Sequence, residues 1–357
     1  ARKRELTSGI EKEVLDEIPS YKPGETPTVP GHEAACTIVA VGDKVNKHSV
    51  GDRVLVQTDY RWLKTANSNA AFGYNFEGAL QQYVVLDERV FVEPDSGKSF
   101  LIPAEKRLGS SAVALVEPWA CVESSYITDE RQAILAGGNL LAVAEPGRQI
   151  EGLENGFSPE GKPASLTVCC ADQSQQEILA DLGIDVQTVD KTDDLPDEEF
   201  DDIIYFGNQP ETIELLNDKL TAGGIMNVVL GGEKIGGDVE ISVGRMHYGM
   251  TRWIGTTGSD ASESYKSIPA NGEIKDGDSV LVIGAGGPMG QMHVIRLLSS
   301  GVDNISITGT DFDEERLENL RQKTGVLADQ NGVSLELFNP RAKKDNGSYD
   351  YFAVMAP

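Results

Sequence analysis

From residue 139 onward the chain alternates short apolar runs with stretches of helical period, and this pattern constrains the fold more than any other feature. Such runs, when helical stretches lie between them, form parallel strands joined by crossovers. The first series of strand-like runs comprises residues 139–144, 166–171, 185–189, 202–206, 225–230 and 252–256. We predict that these runs form one doubly wound parallel sheet.

The alternation restarts at residue 279 with a fully apolar run. Strands are predicted at 279–283, 304–310, 333–338 and 351–355, and helices at 289–299 and 314–323. The sequence stops at Pro357 after the fourth strand. We interpret this series as a second nucleotide-binding fold in tandem with the first, with its last third absent from the sequence given.

The first 126 residues have a different pattern, because β-branched runs and turn residues replace helical period between Gly31 and Ile102. Strands are predicted at 37–45, 51–56 and 78–86. Short strands separated by turns are typical of a small irregular β-barrel. The sequence thus predicts an α/β protein with three domains: a β-barrel over 1–126, a first nucleotide unit over 127–270 and a second over 271–357.

The charge of the chain limits its partners. With 57 acidic and 31 basic residues the net charge is −26, so the summed field repels nucleic acid and acidic membrane surfaces. No apolar run reaches the roughly 18 residues needed to cross a bilayer. Four cysteines in 357 residues form no disulfide framework. We therefore expect a cytoplasmic protein with neither a nucleic-acid nor a membrane partner.

A glycine-rich loop follows the apolar strand of the second unit and opens a helix. Glycines in this position let the chain turn tightly and let backbone N–H groups approach a pyrophosphate. Aligned on its last glycine, the G-x-G-x-x-G frame places Ala285 first; otherwise the loop is one residue longer and begins at Gly284. The candidate cofactor-binding residues are Gly284, Gly286, Gly287, Pro288, Met289 and Gly290.

An acidic residue, Asp311, ends the second strand of this unit, 21 residues after Gly290. A carboxylate there binds ribose hydroxyls and repels a 2′-phosphate, so NAD is favoured over NADP. The first unit instead has Glu145-Pro146-Gly147-Arg148 after its first strand, although Asp172 occupies the ribose position. That unit either binds a dinucleotide weakly or only packs.

Three residues are candidate metal ligands: His32, Glu33 and Glu117. Gly31-His32-Glu33 precedes a predicted strand, and Glu117 lies in residues 115–121, between the barrel and the first nucleotide unit. Histidine and glutamate bind zinc, and a zinc ion with an open position polarises an alcohol oxygen so that it loses its proton near neutral pH. Taken alone, His32 is more typical of a structural turn residue.

These residues resemble the zinc-containing medium-chain dehydrogenase/reductase family. Gly31-His32-Glu33, followed by Val39-x-x-Gly42-Asp43-x-Val45 and Gly51-Asp52-Arg53-Val54, matches the long signature of that family in order and spacing. The resemblance implies a GroES-like β-barrel catalytic domain followed by a Rossmann-type sheet. Within the family the chain is most similar to the polyol and sorbose-1-phosphate reductase branch, which shares Gly73-Tyr74, Glu117-Pro118 and Gly287-Pro288-Met289-Gly290.

The resemblance also implies the ligand set. In the family, the metal is held by a cysteine some 20 to 25 residues before the histidine, by the equivalent of His32, by that of Glu33 directly or through water, and often by that of Glu117. Where the cysteine is expected, this sequence has Thr7-Ser8-Gly9-Ile10-Glu11. Either Glu11, Ser8 or Cys121 replaces that cysteine, or the metal has been lost. The four-cysteine lobe of a structural zinc is missing, so none is expected. Family members form homo-oligomers, and we expect the same here.

Our leading hypothesis is an NAD-dependent, zinc-assisted oxidoreductase that transfers hydride between the nicotinamide and a polyol or sugar, with sugar phosphates suggested by the resemblance alone. A second hypothesis is a degenerate, non-catalytic homologue that acts as a dinucleotide-binding or assembly module, since the first cysteine is missing and the first glycine loop is degraded. A zinc-free reductase of the same family is a third hypothesis, against which Gly31-His32-Glu33 argues.

Overall fold

The structure, a computed structural model, describes residues 5–65 and 68–355. The chain divides into two compact units. One combines Ala1–Thr128 with Gly272–Pro357, and the other is the intervening segment Asp129–Asn271. The β-rich segment and the second predicted nucleotide fold therefore belong to one unit, and the first predicted nucleotide fold is inserted between them in sequence. The three predicted domain boundaries stay a prediction.

The N-terminal part of the first unit consists of short strands and short helices. Its strands are β1 (Leu6–Ser8), β2 (Ala35–Thr37), β3 (Arg53–Val56), β4 (Asp59–Thr65), β5 (Ser68–Ala71) and β6 (Leu101–Pro103). They pair in two antiparallel sheets, in the orders β1-β4-β5 and β2-β3-β6. The helices are α1 (Lys12–Asp16), α2 (Glu88–Phe91), α3 (Ser110–Ala114) and α4 (Val116–Ile127).

One apolar core joins these two small sheets. Alternate residues of a strand point to the same face, so each sheet presents an apolar side to the other. The buried side chains of this core include Val54, Val56, Tyr60, Leu63, Phe72 and Leu101. The small, irregular β-structure predicted for this part of the chain is confirmed.

Two of the three strands predicted in this part are wrong. Of residues 37–45 only Thr37 lies in a strand, and residues 78–86 form none, whereas 51–56 is present as β3. Their composition is typical of strands, but a strand needs a partner to pair with. In the described ranges the pairing of β2 with β3 ends at Thr37, and no strand pairs with residues 39–45 or 78–86. Several of their apolar side chains are exposed: Val39, Val41, Leu80, Tyr83 and Val85.

The inserted unit contains a parallel sheet of six strands. They are β7 (Asn139–Ala144), β8 (Ser165–Cys169), β9 (Asp185–Thr188), β10 (Phe200–Phe206), β11 (Leu220–Val229) and β12 (Arg252–Thr256). Their order, β9-β8-β7-β10-β11-β12, is that of a doubly wound nucleotide fold. The helices are α5 (Gln173–Ala180), α6 (Pro210–Lys219), α7 (Val243–Tyr248) and α8 (Ser262–Ser267). The predicted doubly wound sheet is confirmed.

The crossover from β7 to β8 has no α-helix. Residues 145–164 are all described, and their helical part is a single 3₁₀ turn, Glu154–Gly156. The segment is rich in proline and glycine, which are poor helix formers. In nucleotide folds a helix N-terminus after the first strand binds the phosphate. The inserted unit therefore lacks that element at the end of β7.

The C-terminal part of the first unit is a parallel sheet of four strands in the order β15-β14-β13-β16. Its elements are β13 (Ser279–Ile283), α9 (Pro288–Leu298), β14 (Ser306–Thr310), α10 (Glu314–Asn331), β15 (Ser334–Phe338) and β16 (Tyr351–Val354). All were predicted, although α10 is longer than expected; it ends at Asn331 and is capped by Gly332, whose φ is +66°. Across the described ranges, no helix combines the length and apolar character needed to span a membrane.

Helix α4 links the two parts of the first unit. Val122 and Tyr126 are fully buried in the core of the C-terminal sheet, and Trp119 packs against that core. Near the start of the helix, Glu117 contacts Thr58 in the β-rich part. The apolar residues recur at three- and four-residue intervals, which is helical period, so the sequence contained a signal for α4.

Candidate functional site

His32 and Glu33 lie just before β2 in a turn that requires glycine. Gly31 has a φ of +98°, and a Cβ there would lie 2.7 Å from Leu80 Cγ. Only glycine adopts this left-handed conformation so close to a neighbouring segment without strain. The Gly31 carbonyl accepts a hydrogen bond from the Ala79 N–H at 2.8 Å. The backbone around His32 is therefore held in place before any ligand binds.

Glu117 approaches this turn from the beginning of α4. Its Oε1 lies 4.0 Å from His32 Nε2 and accepts a hydrogen bond from the Thr58 hydroxyl at 3.4 Å. One ligand atom from each of His32, Glu33 and Glu117 lies within 4.8 Å of the others. Among the described histidine, cysteine, aspartate and glutamate residues, no other group of three comes so close together. The structure thus brings together all three predicted metal ligands.

The donor set fits a divalent cation such as zinc, because imidazole nitrogen and carboxylate oxygen are both zinc ligands. Burial raises the pKa of the Glu117 carboxyl group. The positive charge that His32 can carry lowers this pKa, and the negative charge of Glu33 raises it further. A bound cation would favour the ionised carboxylate and remove this penalty. The side chains of His32 and Glu117 are 30% and 16% exposed, so the group remains accessible from solvent.

A cavity of about 350 Å³ opens beside His32 and Glu33. The ring centroid of Tyr74 lies 5.4 Å from that of the His32 imidazole, and Leu80 forms an apolar part of the wall. Small-molecule pockets commonly have volumes of roughly 300–1,000 Å³. A small molecule in this cavity would lie against two of the candidate metal ligands.

Among the three predicted substitutes for the missing cysteine, Cys121 is the one with a contact to this group in the described part of the chain. Its Sγ lies 4.0 Å from Glu117 Oε1. Glu11 is the N-cap residue of α1, and Ser8 ends β1. Burial, followed by the charges of nearby carboxylates with Glu117 first, raises the pKa of the Cys121 thiol.

The glycine loop turns where β13 ends. Gly284 has a φ of +78°, and its N–H donates to the Thr310 carbonyl at 2.8 Å. Gly287 is the N-cap residue of α9, and Pro288 is its first residue. Gly290 packs so tightly that a Cβ would lie 2.2 Å from the Gly284 carbonyl oxygen. Positions 284 and 290 therefore both require glycine, which favours the longer of the two alternatives, beginning at Gly284.

Asp311 lies beside this loop at the end of β14. Its Oδ2 accepts a hydrogen bond from the Gly286 N–H at 3.0 Å, and its Oδ1 accepts one from the Asp313 N–H at 2.9 Å. Each carboxylate oxygen has two lone pairs, so capacity remains for a ribose hydroxyl. Met289 packs against the core of the C-terminal sheet. The structure thus brings together the predicted loop and the predicted ribose carboxylate.

The corresponding position of the inserted unit is filled by side chains. Glu145 directly follows β7 and accepts a hydrogen bond from the Tyr205 hydroxyl. Arg148 donates to the Leu230 carbonyl at 2.9 Å and pairs with Glu233 at 2.8 Å. These groups occupy the end of β7, where a dinucleotide fold presents free backbone amides.

Asp172, the residue in the ribose position of the inserted unit, caps a helix. Its carboxylate accepts hydrogen bonds from the backbone N–H of Ser174 at 2.9 Å and from the Ser174 hydroxyl at 2.6 Å. An aspartate N-cap is common at helix starts and accounts for this residue without a ligand. A glycine loop that opens a helix beside an aspartate carboxylate is therefore found at Gly284 and Asp311 and not at the end of β7.

Thr58, which contacts Glu117, is not among the site residues predicted from the sequence. Its contact with Glu117 joins residues 59 positions apart, and no motif marks it. The position of Cys121 near Glu117 can be predicted from the sequence once α4 is recognised as a helix. Cys121 follows Glu117 by four residues and therefore lies on the same helix face.

Residues 8–95 match the alcohol dehydrogenase GroES-like domain family. This segment contains His32, Glu33 and Thr58. The chain therefore combines a GroES-like domain of the alcohol dehydrogenase type with parallel-sheet folds of Rossmann type.

Several known proteins are similar over most of the chain. The uncharacterized protein YggP of Escherichia coli (strain K12) is 24% identical over 319 residues, 79% of this chain and 71% of that protein. Mannitol-1-phosphate 5-dehydrogenase of Aliivibrio fischeri (strain ATCC 700601 / ES114) is 23% identical over 301 residues, 76% of this chain and 69% of that protein. The crystal structure of 2R,3R-butanediol dehydrogenase from Bacillus subtilis aligns with 81% of this chain and 83% of its own at 18% identity, with a TM-score of 0.26.

Proposed function

We propose that the chain is an NAD-dependent, zinc-assisted oxidoreductase that transfers hydride between the nicotinamide and a polyol or sugar, including sugar phosphates. The observation that carries this proposal is the convergence of ligand atoms from His32, Glu33 and Glu117 within 4.8 Å. It lies in a unit whose N-terminal domain is of the alcohol dehydrogenase type and which also contains the glycine loop. A metal group and a dinucleotide loop are the two parts that this reaction requires.

The chain's own residues prepare the substrate end of the site. His32, Glu33 and Glu117 would hold the cation, and the Thr58 hydroxyl orients the Glu117 carboxylate through its 3.4 Å hydrogen bond. When bound, zinc lowers the pKa of an alcohol hydroxyl so that its proton leaves near neutral pH. The cavity beside His32 receives the substrate, and Tyr74 and Leu80 shield it on one side.

The cofactor end of the site is built by the glycine loop. The first turn of α9 presents backbone N–H groups and the positive end of the helix dipole to the pyrophosphate. Asp311 accepts hydrogen bonds from ribose hydroxyls, and its charge disfavours a 2′-phosphate, which supports NAD over NADP. In the oxidative direction the alcohol carbon gives a hydride to NAD⁺ and the hydroxyl gives a proton to solvent, so a carbonyl compound and NADH result.

The substrate class rests on similarity. The relative from Aliivibrio fischeri is named for a phosphorylated polyol, mannitol-1-phosphate, and the sequence resembles the polyol and sorbose-1-phosphate reductase branch. A net charge of −26 gives a phosphate no long-range attraction, so local cations must bind it. The free thiols of the four cysteines agree with a cytoplasmic location.

Metal analysis combined with turnover tests the proposal. The purified chain should contain about one zinc ion, as a single catalytic metal site requires, and should reduce NAD with a polyol or sugar phosphate. His32→Ala should lose both metal and activity. His48→Ala is the matched control, because its imidazole contacts the Ser99 hydroxyl at 2.7 Å instead of the metal group. Metal-free protein that still binds NADH without turnover would favour the non-catalytic module, and turnover without zinc would favour the zinc-free reductase.

A further inference from the structure

The thiol of Cys121 lies at the edge of the group formed by His32, Glu33 and Glu117. Cys121 follows Glu117 by one helical turn, so both side chains stand on the same face of α4. Glu117 Oε1 is 4.0 Å from Cys121 Sγ and also 4.0 Å from His32 Nε2. One carboxylate oxygen therefore lies between a thiol and an imidazole.

The separations of Cys121 Sγ and His32 Nε2 from Glu117 Oε1 are near those of an occupied zinc site, although Cys121 Sγ lies outside the set of ligand atoms that are within 4.8 Å of one another. Zinc binds sulfur at about 2.3 Å and nitrogen or oxygen at about 2.0–2.2 Å, so two ligand atoms at tetrahedral angles lie roughly 3.4–3.6 Å apart. Both 4.0 Å distances exceed this by only a few tenths of an ångström. Cys121 is exposed, so its side chain is free to change rotamer and bring Sγ closer to the group.

We propose that Cys121 is a further ligand of the cation held by His32, Glu33 and Glu117. The inference rests on the proposed function in one respect, namely that this group binds zinc. On binding, the thiol releases its proton to solvent and the thiolate sulfur bonds the metal, with no change of oxidation state. Nitrogen, oxygen and sulfur donors then complete a four-coordinate set. Substrate binding requires that the site expands to five ligands or that one exposed ligand leaves.

Cobalt(II) tests this directly, because a thiolate bound to cobalt(II) gives a charge-transfer absorption in the near ultraviolet that carboxylate and imidazole ligands do not give. The full chain is titrated with cobalt(II) chloride after removal of metal. We expect this band in the wild-type protein and in Cys36→Ser, and its loss in Cys121→Ser. Cys36 is the matched control, because it is a half-buried thiol in the same part of the first unit.

A second readout is chemical. Saturating zinc should slow alkylation of Cys121 by iodoacetamide at least about tenfold and leave Cys36 unaffected, because a metal-bound thiolate is a poorer nucleophile than a free one. Zinc affinity of Cys121→Ser should fall at least about tenfold.

The outcomes separate this inference from the proposed function. Cobalt that binds in a His32-dependent way without a near-ultraviolet band, or with a band that survives Cys121→Ser, would overturn the role of Cys121 alone. Failure of cobalt and zinc to bind the wild-type chain at all would overturn the proposed function and this inference with it.

Discussion

The Tyr126 hydroxyl lies 2.8 Å from His293 Nδ1 in the core of the first unit. This hydrogen bond joins α4, which carries Glu117, to α9, which begins at the glycine loop. Tyr126 is 0% and His293 4% exposed, and the Arg296 guanidinium stands 4.0 Å from the centroid of the tyrosine ring. A buried polar pair of this kind fixes the packing of two helices, because either partner alone would lack a hydrogen bond.

Tyr126→Phe is expected to destabilise the protein by about 1–3 kcal/mol, because it leaves the buried His293 imidazole without its partner. Burial lowers the pKa of His293 and the charge of Arg296 lowers it further, so protonation at neutral pH does not relieve the loss. Urea unfolding monitored by fluorescence measures the change. The double variant Tyr126→Phe/His293→Leu should cost less than the sum of the single variants, since no buried polar group remains unpaired. Strictly additive losses would argue against this pairing.

Gly290→Ala is expected to distort the glycine loop at the start of α9. Its Cβ would lie 2.2 Å from the Gly284 carbonyl oxygen and 2.7 Å from Ala285 Cα, so the helix must move away from the loop. We expect a loss of stability of about 1–3 kcal/mol, typical of overpacking, together with clearly weaker NADH binding in a fluorescence titration. Gly325→Ala in α10 is the control, because a Cβ there meets nothing within 4 Å.

Gly325→Ala should raise the free energy of unfolding by about 0.5–1 kcal/mol, as expected for glycine replaced by alanine inside a helix. Its affinity for NADH should be unchanged. If Gly290→Ala bound NADH as tightly as the wild-type protein, the loop assignment would be wrong.

The parallel sheets could be predicted from the sequence because their strands are nearly continuous apolar runs. A strand covered on both faces has no polar side, so residues 139–144 and 279–283 stand out, and their boundaries agree with β7 and β13. The helices between the strands add a second signal, the recurrence of apolar residues at helical spacing. Both signals are local, and local signals survive in a single sequence.

The β-rich part could not be predicted in the same way. Strand β4, Asp59–Thr65, contains exposed Arg61 and Lys64 and has no clean apolar alternation, yet it pairs with β1 and β5. Residues 78–86 have the composition of a strand but no described strand beside them. Long-range pairing decides these cases, and composition carries little information about it.

The site was predictable to different degrees. His32 and Glu33 were recognisable from the signature around them, whereas their approach to Glu117 is a tertiary contact over more than 80 positions. The order of segments in the sequence does not show which of them pack together, and contacts such as that of Tyr126 with His293 place residues 272–357 in one compact unit with the N-terminal segment.

Glu117→Gln is expected to stabilise the cation-free protein at neutral pH but not near pH 4. Burial raises the pKa of Glu117 and Glu33 adds to this rise, so the folded chain binds that proton more tightly than the unfolded chain. The resulting stability is fully present below the unfolded pKa of about 4.3 and is lost as pH rises through the folded pKa. Glutamine mimics the protonated form, and its advantage should therefore grow with pH.

Thermal unfolding in the presence of a chelator, from pH 4 to pH 8, measures the difference in stability between Glu117→Gln and the wild-type protein. Zinc at pH 7 should reverse the order, because the wild-type chain gains stability by binding the ion and the variant loses a ligand. A difference in stability that does not change with pH would contradict the role assigned to burial of the Glu117 carboxylate.

Asp311→Asn is expected to weaken the binding of NADH and to reduce the ratio of the affinity for NADH to that for NADPH. Asparagine keeps one acceptor oxygen for the Gly286 N–H but removes the charge that binds ribose hydroxyls and repels a 2′-phosphate. Loss of a charged hydrogen bond costs about 1.5–3 kcal/mol, which is roughly a tenfold to hundredfold loss of affinity. Asp172→Asn is the matched control in the inserted unit, because Asp172 caps α5 and asparagine caps helices equally well. In fluorescence titrations with NADH and NADPH, the affinities should therefore change only in Asp311→Asn. A change of affinity confined to Asp172→Asn would place the dinucleotide in the inserted unit instead.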